Sequence, residues 1–266
     1  MRKFARSCDA SGATAHNGLV PLTDLGGEAV LLAGGGRAIL LQLANPAVGH
    51  AVAQHSNFAA DPLRRLRNTL TYVYALVFGT STQVATVTAM VHRAHEPVRS
   101  ESYDAADARL QLWVAATLYD TATLLHSRIF GPLADADADA VYREYAVVGT
   151  AIGMPPGLWP VDRAAFREYW DASVAALSVD DSVRRVAREL LHPKTGPLWM
   201  RASMPLARLT TAGLLSPELR EAYELPWNAR RARRFDRLMR LTARIYPRLP
   251  VPLRHWPKDH YLRALG

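Results

Sequence analysis

Apolar positions recur along most of this 266-residue chain at the three-and-four spacing of a helix face. No stretch sustains the strict alternation of a half-buried strand. The period predicts helices over about 28–44, 46–55, 62–78, 82–99, 107–130, 137–152, 163–176, 180–192, 202–212 and 229–246. Local punctuation supports these boundaries. Asp61 followed by Pro62 reads as an N-cap with proline in the first helical position. Gly79 and the pair Gly131-Pro132 close helices, and the run from Gly153 to Gly157 (GMPPG) is a firm break. There is no fixed-period repeat and no Gly/Ser linker between halves. The prediction is an all-α fold: a single globular domain of about eight to ten helices over residues 21–266, after a flexible tail over 1–20.

One segment departs from plain amphipathic patterning. Residues 34–55 read GGGRAILLQLANPAVGHAVAQH, with three glycines running into an arginine. Each Gly costs about 1 kcal/mol relative to Ala inside a helix, so packing alone does not favour the run. Gly34, Gly35 and Gly36 fit a flat or bulky ligand lying against bare backbone, with Arg37 meeting an acidic group of that ligand. The other reading is a glycine kink with Arg37 in a structural ion pair.

Composition narrows the class. Apolar residues make up 49% and charged residues 21%, as in soluble globular proteins. The single cysteine, Cys8, cannot form an internal disulfide and fits a reducing cytoplasm. The N-terminal residues carry basic charge with no apolar core behind them, which argues against a secretory signal. Residues 29–53, the longest apolar stretch, contain Arg37, Gln42, Asn45, Pro46 and His50 and make a poor membrane span. The net charge of +8 resides in the C-terminal quarter, where Leu219 to Arg263 hold eleven arginines and one lysine against four carboxylates. The helix over 228–248 interleaves Arg with Phe235, Leu238, Leu241 and Ile245. It suits either a weak peripheral contact with an anionic membrane or a layer of long arginine stems over the core. No aromatic stacking platform or base-reading motif accompanies the charge, so no nucleic-acid partner is expected.

Several chemistries lack their motifs. A carboxylate-bridged di-iron site needs two Glu-x-x-His motifs, and only Glu189 with His192 fits. His-Glu-x-x-His and the Gly-x-Ser-x-Gly nucleophile elbow are absent. The glycine run sits in a helical context, which argues against a dinucleotide fingerprint. What remains is VHRAHEPV, where His92 and His95 lie three apart on one helix face and suit a metal ligand with a neighbour. A solvated His92 with a satisfied core His95 is the alternative. On the preceding helix Arg65, Asn68, Thr69 and Tyr72 share a face rich in hydrogen-bond donors, fit for a ligand wall or simply for solvent.

In order and spacing these segments resemble the MpaB-like oxygenase family, which is related to the latex-clearing protein, a rubber oxygenase. The resemblance rests on GGGRAILLQLANPAVGHAVAQHSNFAADP, the RLRNTL helix, VHRAHEPV, LQLWVAATLYDT, REYAVVG, GMPP, LTTAGLLSPELREAYELPWNARR and YPRLPVPLR, together covering about residues 27–255. It implies an all-α fold, a haem b held by one histidine, and oxygenase or peroxygenase chemistry on a hydrophobic small molecule with molecular oxygen or peroxide. His95 corresponds to the iron-ligating histidine. Arg65 to Thr69 resembles the Arg-x-x-Lys-Thr pattern of the latex-clearing branch, with Asn68 in place of Lys. Asn45 and Ala115 stand where many relatives carry histidine.

On this reading Gly35, Gly36, Arg37, Arg65, Asn68, Tyr72 and His92 would line the cofactor, with Arg37 and Arg65 meeting propionates or bound oxygen. Arg65, Thr69, His50 and His55 would be the catalytic candidates. His50 and His55 are about 140° apart on a helix, so one of the two faces the site. The alternative is a non-catalytic protein that binds haem or a lipophile.

Overall fold

The computed structural model describes residues 22–54, 62–96, 99–100 and 103–265. The chain begins in α1 (Leu22–Gly26), crosses a 3-10 segment (Ala29–Gly34) and enters α2 (Gly35–Ala44). Next come α3 (Pro46–Gln54), α4 (Pro62–Phe78) and α5 (Ser81–His95). A minimal antiparallel ladder, β1 (Arg99–Ser100) with β2 (Tyr103–Asp104), pairs Arg99 with Asp104 and leads into the longest helix, α6 (Ala108–Phe130). The chain continues through α7 (Asp135–Tyr145), α8 (Val147–Thr150), α9 (Arg163–Ala175), α10 (Asp181–Leu191) and α11 (Leu198–Leu214). It ends in α12 (Pro217–Ala222), α13 (Ala229–Ile245), α14 (Val251–Arg254) and α15 (Trp256–Arg263).

The class is all-α, and the helix count exceeds the eight to ten expected. Each segment read from periodicity overlaps a helix of nine residues or more, but 28–44 opens as a 3-10 segment, the helix read over 82–99 ends at His95, and 137–152 breaks into α7 and α8. The excess consists of α1, α8, α12, α14 and α15, which run four to eight residues. So short a segment covers barely one or two turns and carries no readable period. The expected tail over 1–20 lies outside the described residues.

Caps explain the main boundaries. Thr80 and Gln83 form a reciprocal capping box at the start of α5. That helix stops at His95, with Glu96 as its C-cap, still helical in backbone and donating its N–H to the His92 carbonyl. Asn45 turns extended between α2 and α3, and its Oδ1 accepts from the backbone N–H groups of Ala47 and Val48. The residue that departs from the family pattern there is thus a helix cap.

The core is organised around α6, which has no exposed residue from 110 to 126 and contributes to three clusters. Tyr119 packs edge-on against Tyr142, Tyr145, Trp159 and Phe166, with centroids 4.9–6.0 Å apart. Trp113 stacks on Trp170 next to Leu40, Leu41, Leu43, Val183 and Leu219. Leu125 and Ile129 meet Leu214, Phe235 and Met239. Two groups of helices flank this spine. α2 is held by α3, α6, α10 and α11, whereas α4 is held by α1, α5, α8 and α15.

Candidate functional site

The glycine run bridges the 3-10 segment and α2 with ordinary helical backbone at Gly34 and Gly35, so positive φ is not its purpose there. A Cβ on Gly34 would overlap Thr121 and come within 2.7 Å of Leu125 Cδ1, both on α6. A Cβ on Gly36 would overlap the Thr211 hydroxyl and lie 3.1 Å from Thr211 Cβ on α11. These two glycines let neighbouring helices approach, so a close approach to Thr211 of α11 accounts for Gly36 without a ligand. Gly35 differs. A Cβ there would meet only Leu66 Cδ1 of α4, at 4.0 Å. Its bare backbone borders the space between the α2 group and the α4 group.

Arg37 points into the protein. Its Nε donates to the Leu214 carbonyl at 2.9 Å and its Nη1 to Thr121 Oγ1 at 2.7 Å. Its Nη2 lies 2.6 Å from Asp120 Oδ2, and the guanidinium rests 5.9 Å from the Trp170 ring centroid. Each nitrogen of the fork meets a partner within the protein, which matches the structural ion pair read as the alternative for Arg37. Burial pushes the Asp120 carboxyl above its ordinary value, against the pull of Arg37. Asp120 was not singled out in the sequence, although a lone charge within LQLWVAATLYDT was a signal for a buried partner. Asp120, but not Arg37, lines an open cleft of about 580 Å³ between α6, α7 and α9, walled by Tyr119, Phe166 and Trp170.

On α4, Asn68 is exposed, Thr69 half-buried and Leu66 exposed. The backbone of Arg65 belongs to α4, while its side chain lies outside those described. Tyr72 turns away from this face. Its hydroxyl donates to the Val148 carbonyl at 2.7 Å, tying α4 to α8, and burial pushes its pKa up. His92 is exposed, whereas His95, the last residue of α5, is half-buried.

His50 sits at the surface of α3. Its Nε2 lies 2.8 Å from Asp180 Oδ2, the carboxylate that also caps α10 through the Val183 N–H. Hydrogen bonds from Ser182, Val183 and His50 hold Asp180 well below the usual carboxylate range. The structure therefore gives His50 a surface helix-cap pairing in place of a pocket. His55 lies outside the described residues. Ala115 is buried beside Gly149, and the nearby Thr117 accepts from Gln42 Nε2 at 3.0 Å.

Residues 23–244 match the family of the ER-bound oxygenase mpaB/B'/rubber oxygenase, catalytic domain. The chain belongs to this oxygenase family. The match runs from α1 almost to the end of α13 and takes in every candidate residue above. Two relatives, uncharacterised proteins of Mycobacterium bovis and Mycobacterium tuberculosis, are each 39% identical over 228 residues, covering 82% of this chain and 89% of theirs. No solved structure matches the chain. None of the described helices is long and apolar enough to cross a membrane.

Proposed function

We propose that this member of the oxygenase family is a haem b-dependent oxygenase or peroxygenase acting on a hydrophobic small molecule, with iron held by His95. The observation that carries the reading is the family match, which runs unbroken through α2, α4 and α5. The residues present suit the cofactor. A porphyrin brings four nitrogens of its own and asks the protein for one histidine. Gly35 offers backbone without a side chain in the way, beside Leu66.

When bound, the haem supplies the activation of oxygen or peroxide. The chain's own residues bind, orient and keep water out. His95 holds the group through a neutral ring nitrogen. Asn68 and Thr69 offer an uncharged amide and a hydroxyl from α4, leaving Arg65 as the charged donor of that motif. Leu66 provides apolar surface for a hydrophobic substrate. The Arg37–Asp120 pair and its bonds to Thr121 and Leu214 brace α2 against α6 and α11, fixing Gly35 in place.

The test is an absorbance spectrum of the purified protein with pyridine haemochrome analysis, followed by oxygen and peroxide consumption across a panel of apolar substrates. A Soret band, b-type haem and substrate-dependent consumption are expected. Protein that stays colourless after incubation with hemin contradicts the haem assignment. Haem without turnover supports the non-catalytic binder instead.

A further inference from the structure

The outward face of α13 carries a charge pattern that core packing does not require. Phe235 and Met239 point inward and are buried against Leu125 and Leu214. At about 100° per residue, Arg230, Arg234, Arg237, Leu241, Arg244 and Ile245 fall within an arc of about 100° on the opposite side. Asp236, the only acid of the helix, lies off that arc. The chain then continues through further exposed apolar side chains. Leu241 is 54%, Ile245 50%, Leu253 63% and Trp256 58% exposed, with Leu249 and Val251 between them. A shallow groove is lined by Arg244, Ile245, Arg248 and Leu249, so cation and aliphatic chain stand side by side. The segment is anchored rather than loose. Arg254 Nη1 lies 2.6 Å from buried Glu28, and Tyr246 Oη accepts from the Val30 N–H.

We infer that α13 and the segment to Trp256 form a docking surface for an anionic lipid bilayer. Charge complementarity selects that occupant. Arginines unopposed by acids meet lipid phosphates, and Leu241, Ile245, Leu249, Leu253 and Trp256 enter the boundary between headgroups and acyl chains. A nucleic acid would use the charge but leave the apolar side chains in water, and a second copy would set like charges against each other.

The full-length protein is to be co-sedimented with phosphatidylcholine vesicles and with vesicles containing about one third phosphatidylglycerol. Binding is expected only with the anionic vesicles, and it should weaken by roughly tenfold or more as salt rises to about 0.5 M. Arg237→Glu/Arg244→Glu should abolish binding, and Leu253→Glu should weaken it at unchanged net arginine content. Arg143→Glu/Arg185→Glu, an equal charge change on exposed positions of α7 and α10, should retain binding, and circular dichroism checks that each variant folds. The inference is overturned by no binding to anionic vesicles at low salt, by equal loss in both charge-reversed pairs, or by a dimer dispersed by Leu253→Glu without vesicle binding. Retention by duplex DNA but not by vesicles overturns it equally.

Discussion

Gly34, Gly35 and Gly36 are neighbours in sequence with different surroundings, and substitution separates them. Gly36→Ala forces a methyl into Thr211 and should destabilise the protein by about 1–3 kcal/mol in urea unfolding. Gly35→Ala finds open space and should leave the haem-free protein unchanged or more stable by up to about 1 kcal/mol, while lowering haem occupancy. Arg37 is the second diagnostic residue. Both side chains of its pair with Asp120 are largely shielded, so Arg37→Gln strands a buried carboxylate at a cost of about 3–5 kcal/mol at neutral pH. The pH dependence has a definite sign. Asp120 has a folded pKa above its unfolded one, so the folded state binds the proton more tightly and gains stability as pH falls through the folded value. Thermal melts of Arg37→Gln should therefore recover part of the deficit toward acid pH. Asp180 runs the other way: its contribution is full above the unfolded carboxylate pKa and is lost as pH falls through its depressed value. What the glycines and Arg37 cost was legible in the sequence. What they touch was not, because Thr121 and Thr211 are brought to them only by the fold.

Periodicity and caps carried most of the information about elements. The Gly131 stop falls where turn chemistry places it, and α6 starts on Asp107, whose Oδ1 accepts from the Arg109 and Leu110 N–H groups, whereas the helix read over 82–99 ends at His95. The run over 28–44 was legible as helical, but not the tighter 3-10 winding through Ala29–Gly34 that sets Gly34 against α6. α15 escaped notice because its buried residue is Pro257 and its period is short, yet it packs on α4 and so supports the face that carries Asn68 and Thr69. The helix that presents His95 depends on its own start. Thr80→Ala removes one half of the capping box and should cost about 1 kcal/mol in chemical denaturation. Fraying of α5 should also show as faster amide exchange in its first turn.

At the scale of the molecule, the long central helix α6 organises the rest. α6 joins the aromatic cluster around Tyr119, the Trp113–Trp170 stack and the Leu125 cluster, leaving α2 and α4 on separate supports with Gly35 facing Leu66 between them. Fold class and family were readable from the ordered motifs, since those are local. The internal engagement of Arg37, Gly36 and Tyr72 was not, since it depends on contacts between elements far apart in the chain. The proposal accordingly rests its cofactor contacts on His95, Gly35 and α4. The most direct measurement is haem content by pyridine haemochrome in His95→Ala and His92→Ala, each compared with the parent protein at matched helicity. Loss of bound haem in His95→Ala with near-parental haem in His92→Ala is the predicted result. Parental haem content in His95→Ala would contradict the assignment of the iron ligand.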